Sequence, residues 1–211
     1  MLTFNRILLV SAHPDDALFG AGGTIARLKR ENPSCEIWSI YFAPCLEDPH
    51  NKNVVKEYLK SSKVFQIEKN ILKNMARDGY IENHRQEVRD ILWKIKEEFK
   101  PEIVLCPSPH DFHQDHNAIA ECCLTIFRGT STILGYEVPR STTQYFNPIF
   151  YVIVTDEDVA IKIKAMKQYK SQRQCRAELF NSEAIKSFLS MHGIQARTTW
   201  AEVFEVLWGR I

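Results

Sequence analysis

The chain has 211 residues, of which 45% are hydrophobic and 25% charged, and its formal net charge at pH 7 is +1. This length and composition argue against intrinsic disorder and predict one globular domain over residues 1–211. The near-neutral balance and the lack of a run of basic residues give no support for a nucleic-acid or anionic-membrane role. No apolar run approaches the roughly 20 residues that cross a bilayer, and no signal-peptide pattern occurs, so we expect a cytoplasmic location.

Patterns typical of strands and helices alternate along the chain. We predict strands at 6–11, 35–42, 103–106, 132–137, 149–154 and 200–208. We predict helices at 20–31, 51–66, 81–99, 114–127, 156–172 and 182–191. The alternation predicts an α/β fold of the Rossmann-like, doubly wound type, with a mainly parallel sheet flanked by helices. In such folds ligands bind outside the carboxyl ends of the strands, where the strand order reverses.

The six cysteines do not suggest a metal or disulfide framework. No two of them form a C-x-x-C pair, and Cys106 and Cys122 lie in apolar surroundings. We therefore expect reduced thiols that act as small core residues.

The first polar motif, Ala12 to Asp16 (A-H-P-D-D), follows the first predicted strand directly. His13 and one of the two aspartates are suited to bind a divalent ion, while the other carboxylate faces the attacking water. Pro14 makes the turn rigid. The alternative is a helix start whose aspartates act as caps, which leaves His13 unexplained.

Three glycines follow the first motif, at positions 20, 22 and 23. They form G-x-G but lack the later glycine of the dinucleotide-binding fingerprint, so a nucleotide-binding module is disfavoured. We expect these glycines to open the helix and to let it approach the sheet closely.

The second motif, from His110 to His116 (H-D-F-H-Q-D-H), follows the predicted strand 103–106. His113 and His116 can face one cavity if a helix begins near Gln114. One of these histidines would complete a set of three metal ligands with His13 and an aspartate, as in catalytic zinc sites. His110 and Asp111 leave a two-metal site open.

Both motifs give the chain a resemblance to a known family, the LmbE/PIG-L-like zinc-dependent deacetylases, which remove acetyl groups from N-acetylglucosamine-type sugars. The family signatures A-H-P-D-D and H-x-D-H match Ala12 to Asp16 and His113 to His116. Weaker similarities extend over nearly the whole chain, at 22–25, 78–79, 100–104, 169–172 and 201–204.

The resemblance implies a role for each matching residue. It implies that the metal ligands are His13, Asp16 and His116. Asp15 matches the general base that takes a proton from the attacking water. His113 matches the residue that stabilises the oxyanion and protonates the leaving amine, and Asp115 looks like the partner that orients His113.

The resemblance also implies Zn²⁺ as the cofactor, although similar sites accept Fe²⁺ and other divalent transition metals. The implied substrate is an acetylated amino sugar or glycoconjugate, and a homo-oligomer is compatible with the sequence. Three residues depart from the family pattern, Ala17, Leu18 and Val54, and this leaves the sugar contacts and the identity of the substrate open. Glu137 and Arg140, on a predicted polar loop, are weaker candidates for substrate contacts.

Two other interpretations stay open. The first is a metal-dependent hydrolase that acts on another amide or ester, including a phosphoester. The second is a non-catalytic protein that retains the metal and binds sugars. The presence of both Asp15 and His113 favours an enzyme over a binding protein.

Overall fold

A seven-stranded sheet with helices on both faces organises the computed structural model, which describes residues 4–75 and 81–210. The strands are β1 (Arg6–Ser11), β2 (Glu36–Tyr41), β3 (Lys69–Leu72), β4 (Ile103–Pro107), β5 (Thr132–Tyr136), β6 (Phe150–Ile153) and β7 (Ala201–Trp208). Their order is β3-β2-β1-β4-β5-β7-β6. The first five run parallel, and β7 is antiparallel to both of its neighbours. The predicted doubly wound, mainly parallel α/β fold is confirmed.

The helices of the described residues are α1 (Asp16–Glu31), α2 (Val54–Val64), α3 (Arg85–Phe99), α4 (Gln114–Phe127), α5 (Asp156–Met166), α6 (Lys170–Cys175) and α7 (Ser182–Gln195). Two 3₁₀ helices cover Pro49–Asn51 and Ile81–His84. None of the helices is both long and apolar enough to cross a bilayer, within the part of the chain that the structure describes.

The sheet divides the interior into two apolar cores. Ile7 and Leu9 of β1 belong to one core with residues of α1, α2, α5 and α7. Leu8 and Val10 belong to the other, with residues of α3 and α4. Because successive side chains of a strand point to opposite faces, a strand buried on both faces is a continuous apolar run, as Ile7 to Val10 is.

The strand order reverses between β1 and β4, which are neighbours in the sheet. From β1 the chain winds outward through β2 to β3, and from β4 it winds the other way through β5. Both polar motifs follow these two central strands, so they meet at the reversal point, which is the usual ligand-binding position in such folds.

Two predicted helices were wrong in their bounds. The helix predicted for 20–31 begins at Asp16, so the glycines lie inside α1 instead of opening it. They do permit close approach: a Cβ on Gly20 would come within 2.3 Å of the Tyr136 ring, and one on Gly23 within 3.1 Å of Glu202. The helix predicted for 156–172 is divided into α5 and α6. Between them lies Tyr169, which is buried and donates its hydroxyl to Pro14 O over 2.7 Å.

The remaining elements match the predictions within a few residues, except that β3 was not predicted. β3 has only four residues, lies at the edge of the sheet and is half-buried, so it lacks a strong apolar signal. All six cysteines are free. Four are buried as expected, but the prediction of core residues was wrong for Cys45, which is partly exposed, and for Cys175, which is exposed. The predicted family similarity at 78–79 lies outside the described residues.

Candidate metal centre

Three potential ligand atoms converge where the two motifs meet. His13 Nδ1 lies 3.6 Å from Asp16 Oδ2, His116 Nε2 lies 3.4 Å from the same oxygen, and the two ring nitrogens are 3.4 Å apart. Ligand atoms about 2.0–2.1 Å from a tetrahedral zinc ion are separated by about 3.3 Å. The three atoms therefore have the spacing that one face of such a coordination shell requires, and together they form a candidate metal site.

Local hydrogen bonds fix the first motif in this geometry. Asp16 is the first residue of α1, and its Oδ2 accepts the backbone N–H of His13 over 2.8 Å. The carbonyl oxygen of Pro14 accepts the hydroxyl of Tyr169. These two hydrogen bonds hold the turn between β1 and α1 in place. They orient His13 and Asp16 toward the same point.

Asp111 organises the second motif and was given no orienting role by the sequence. Its carboxylate is buried, and Oδ2 lies 2.9 Å from His116 Nδ1 while Oδ1 accepts the His113 backbone N–H over 2.7 Å. The hydroxyl of Ser141 also donates to Oδ2. A carboxylate behind a metal-binding histidine fixes the ring orientation and its tautomer. The spacing D-x₄-H was the only sequence signal for this contact.

Charge and burial set the pKa values of the cluster. Burial lowers the pKa of His116, but Asp16 and Asp111 more than offset this effect and raise it to about 9. Burial also opposes ionisation of Asp16, yet His116 and His13 hold the pKa of Asp16 well below its usual range. The carboxylate of Asp16 is therefore charged and ready to bind a cation.

Asp15 lies beside the cluster and has a different environment from Asp16. It is buried and lines the cavity described below, and burial together with the neighbouring Asp16 raises its pKa. Arg176, whose Nη1 is 3.7 Å from Asp15 Oδ2, opposes this shift. Nothing in the sequence indicated Arg176, because this residue, just after α6, lies 161 positions after Asp15 in the chain. The pKa values of the two adjacent aspartates are thus shifted in opposite directions, up for Asp15 and down for Asp16.

His113 and Asp115 lie next to the three converging atoms. The ring centroid of His113 is 4.7 Å from those of both His13 and His116. His113 caps α4, and its Nδ1 accepts the backbone N–H of Asp115 over 3.2 Å. The carboxylate of Asp115 accepts the N–H of Ile81 and lies 3.6 Å from His13 Nε2. The expected orienting role of Asp115 toward His113 therefore stays a prediction.

His110 is turned away from the three converging atoms. Its Nδ1 lies 2.8 Å from Glu205 Oε1 on β7, and its backbone N–H bonds to Ser108. Asp111 is engaged behind His116. The structure therefore gives neither residue a free position in a second metal site of the kind that the sequence left open.

A cavity of about 380 Å³ opens above the cluster. His13, Asp15, Asp16, His113 and His116 all line it. Polar and apolar side chains from several loops and helices complete the wall, among them Asp48, Asn51, Val54, Arg140, Gln172 and Leu179. Arg140 lines the cavity, and its contact with a substrate stays a prediction. Glu137 does not line it and instead contacts the buried His192.

Of the three departures from the family pattern, two face away from the cavity. Ala17 and Leu18 pack in the apolar core beneath α1, and only Val54 lines the cavity wall. The neighbourhood of Val54 is thus where an altered sugar contact is expected.

Fold and site together define a doubly wound α/β protein with a candidate His/Asp metal site at the point where the strand order reverses. The family model described as PIG-L, GlcNAc-PI de-N-acetylase, matches residues 8–127, which is more than half of the chain. The chain belongs to this family.

Individual relatives agree with this membership. A protein of Escherichia coli K12 named uncharacterized deacetylase YaiS is 28% identical over 179 residues, covering 78% of this chain and 90% of its own length. The N,N'-diacetylchitobiose deacetylase of Pyrococcus horikoshii has a similar structure, with a TM-score of 0.77 and 21% identity over 97% of this chain and 84% of its own. The hydratase GalB of Pseudomonas putida KT2440 also shares the fold, with a TM-score of 0.73 and 15% identity over 98% of both chains. The fold alone therefore does not decide the reaction.

Proposed function

We propose that this protein is a metal-dependent hydrolase that removes the N-acetyl group from an N-acetylglucosamine-type sugar or glycoconjugate. The observation that carries the proposal is the convergence of His13, Asp16 and His116 beside Asp15 on the floor of one cavity. Family membership supports the reaction type. The cytoplasmic location and the homo-oligomer considered from the sequence stay predictions.

The donor set fits zinc and also suits Fe²⁺. Two imidazole nitrogens and one carboxylate oxygen are the ligands that catalytic zinc sites use, with a further position left for water or substrate. When bound, such an ion supplies a Lewis acid that polarises a carbonyl oxygen and lowers the pKa of a water molecule. His13, Asp16 and His116 would hold it.

Asp15 is suited to act as the general base. Its carboxylate lines the cavity next to Asp16, and its raised pKa increases its affinity for a proton. It would take the proton of the attacking water as the oxygen bonds to the acetyl carbon. Arg176, beside Asp15, favours the ionised carboxylate that a base must have before the reaction.

His113 is suited to donate a hydrogen bond to the substrate. Because Nδ1 accepts the backbone N–H of Asp115, the neutral ring carries its proton on Nε2. That N–H could bond to the developing oxyanion, while the proton that Asp15 takes from the water passes to the amine nitrogen as the C–N bond breaks, leaving acetate and a free amino sugar. The proton transfer from His113 that the resemblance implies would need a doubly protonated ring, and it stays a prediction.

The lining of the cavity supports a polar substrate of sugar size. Its volume of about 380 Å³ is near the lower end for small-molecule sites. Asp48, Asn51 and Gln172 offer carboxylate and amide groups to hydroxyls, while Leu179 and Phe19 offer apolar surface. One acetamido sugar at the floor of the cavity, with a linked group toward the opening, matches this arrangement.

The test is acetate and amine release from a panel of N-acetylglucosamine compounds, free, nucleotide-linked, inositol-linked and malate-linked, by metal-loaded protein. We expect metal-dependent release, and we expect Asp15→Asn to keep the metal but reduce turnover by about 10²–10⁴-fold. Asp48→Asn is the comparison variant: this carboxylate lines the same cavity outside the metal cluster, so its loss should raise KM and leave metal content and kcat near wild type. Unchanged turnover in Asp15→Asn, or no release across the panel, would contradict the proposal.

A further inference from the structure

Helix α2 presents a row of lysines to solvent. Lys52 just precedes the helix, and the row continues along it at intervals of four or three residues. These spacings place side chains on one face of a helix. All four are exposed: Lys52, Lys56, Lys60 and Lys63.

A second row lies on the neighbouring elements α5 and α6, which pack against α2 on the same side of the sheet. Its members recur every third residue, and each is exposed: Lys164, Lys167, Lys170 and Arg173. The two rows form one surface, which we call the basic face.

The segments that carry the basic face contain few acids, although Asp48, Glu68 and Glu178 are exposed at their borders. Within residues 52–67 and 159–177 the sequence contains one carboxylate, Glu57. Glu57 is buried, where it accepts the backbone N–H and the hydroxyl of Ser171. None of the eight cations makes an ion pair with any residue in the described ranges.

Exposed cations elsewhere in the molecule often do have partners. Arg6 pairs with Glu102 at 3.2 Å, and Lys69 pairs with Glu98 at 2.7 Å. Arg85 likewise pairs with Glu82. These eight cations, by contrast, are exposed and lie on neighbouring elements. They concentrate positive charge on one face, by which the field of an anionic surface would orient the molecule.

The basic face adjoins the opening of the cavity. Asn51 and Val54, at the start of α2, line the cavity, and so do Gln172 and Arg176, in and after α6. Lys52, Lys170 and Arg173 are sequence neighbours of these lining residues. A surface bound to the basic face would lie beside the entrance through which a substrate must pass.

We propose that the basic face docks the protein on a bilayer that contains anionic lipids. Clusters of four to eight cationic residues are typical of such contacts, which are held by diffuse charge and not by shaped pockets. Seven of the eight cations are lysines, which act as point charges. Leu46, 40% exposed in the loop beside the cavity, offers an apolar contact next to the charges.

A nucleic acid fits the basic face less well. Binding of single strands uses exposed aromatic rings on which bases stack. The aromatic residues of these segments, Tyr58, Phe65 and Tyr169, are all buried. Docking on a bilayer does not depend on the proposed deacetylase activity, so either can fail without the other.

The experiment is sedimentation of the full-length protein with vesicles of phosphatidylcholine alone or with 30 mol% phosphatidylglycerol. The test variant is Lys56→Glu/Lys60→Glu/Lys164→Glu, and the control is Lys94→Glu/Arg128→Glu/Lys186→Glu, which reverses three exposed cations outside the basic face. Thermal melting of both variants and their turnover of a water-soluble acetamido sugar verify that they are folded. The affinity of the wild-type protein for a single-stranded nucleic acid of 20 nucleotides is measured for comparison.

We expect wild type to bind only the anionic vesicles, with affinity that falls as salt is raised. The test variant should bind about 100-fold more weakly or worse, since each cation near an anionic bilayer contributes about a fivefold factor. The control should bind like wild type. Absence of binding to anionic vesicles at low salt, equal losses in the two variants, or tighter binding to the single strand than to the vesicles would overturn the proposal.

Discussion

Helix α1 contributes to two buried clusters of charge that differ in one respect. At its first residue, Asp16 belongs to the candidate metal centre. In its middle, Glu202 of β7 accepts the backbone N–H groups of Gly23 and Thr24 over 2.7 and 2.6 Å. Lys162 of α5 donates to Glu202 and to the carbonyl oxygen of Phe19, both over 2.6 Å.

The Lys162–Glu202 cluster is complete within the protein. The N–H of Gly23 and the carbonyl oxygen of Phe19 are four residues apart and belong to one turn of the helix. Glu202 accepts from the N–H of Gly23, and Lys162 donates to the carbonyl oxygen of Phe19. Both carboxylate oxygens have donors, so burial of the two charges is compensated. In the candidate metal centre, by contrast, one carboxylate and two imidazole rings face one another beside a cavity. Buried charged groups indicate a ligand site where potential ligand atoms converge beside a cavity. They do not indicate one where each charge already has a partner within the protein.

The largest effect is expected from the loss of a ligand. His116→Ala should reduce turnover by about 1,000-fold or more, because the Lewis acid supplies several kcal/mol of charge stabilisation. Metal content measured by atomic emission should fall with it. The matched control is His110→Ala, since His110 belongs to the same motif but bonds to Glu205 outside the cluster. Equal metal loss in both variants would contradict the assignment.

Loss of the ion pair between Lys162 and Glu202 should lower the stability of the protein and leave metal binding unchanged. Lys162→Met is expected to lower the free energy of unfolding by about 3–5 kcal/mol, because it leaves Glu202 buried without its cation. Metal affinity per folded molecule should not change. Lys164→Met, two residues further along α5 and exposed, is the control and should cost less than about 0.5 kcal/mol. Urea unfolding measures the stability of both variants. A loss below about 1 kcal/mol in Lys162→Met would contradict the view that Lys162 compensates the buried charge of Glu202.

Asp111 shares a feature with each cluster. Its carboxylate has hydrogen-bond partners within the protein, and it also contacts the candidate metal ligand His116. Asp111→Asn should weaken metal binding by about 10–100-fold, the usual effect of removing the carboxylate behind a metal-binding histidine. Ser141→Ala removes another hydrogen bond to the same carboxylate and should change affinity much less. Competition with a chromophoric chelator provides the measurement. Wild-type affinity in Asp111→Asn would show that Asp111 does not orient His116.

A smaller, pH-dependent effect is expected at Asp158. Burial opposes its ionisation, but bonds from Arg30 and Thr155 lower its pKa. A depressed native pKa adds stability above the unfolded value of about 3.9, and this stability is lost as the pH falls through the native pKa. Asp158→Asn should therefore cost about 1–2 kcal/mol at pH 7 and approach wild type near pH 3. Urea unfolding at the two pH values would detect a constant difference, which is the contrary result.

The basic face shows a limit of reading charge from sequence. Composition and the lack of a basic run predicted no anionic-membrane role. The cations occur instead at helical spacing in two segments a hundred residues apart. Only the packing of α2 against α5 joins them.

The sequence by itself determined most of the order of strands and helices, without β3 and the division between α5 and α6. It also determined the polar turns after β1 and β4 and the start of α4 at Gln114. These depend on apolar periodicity and turn chemistry, which are local. Tertiary structure decided the rest. Asp16 begins α1, Asp111 supports His116, Arg176 reaches Asp15, and Glu137 contacts His192 instead of the cavity. Each of these outcomes depends on which groups meet in space, and hydrogen bonds and ion pairs between separate elements leave no periodic signal in the chain.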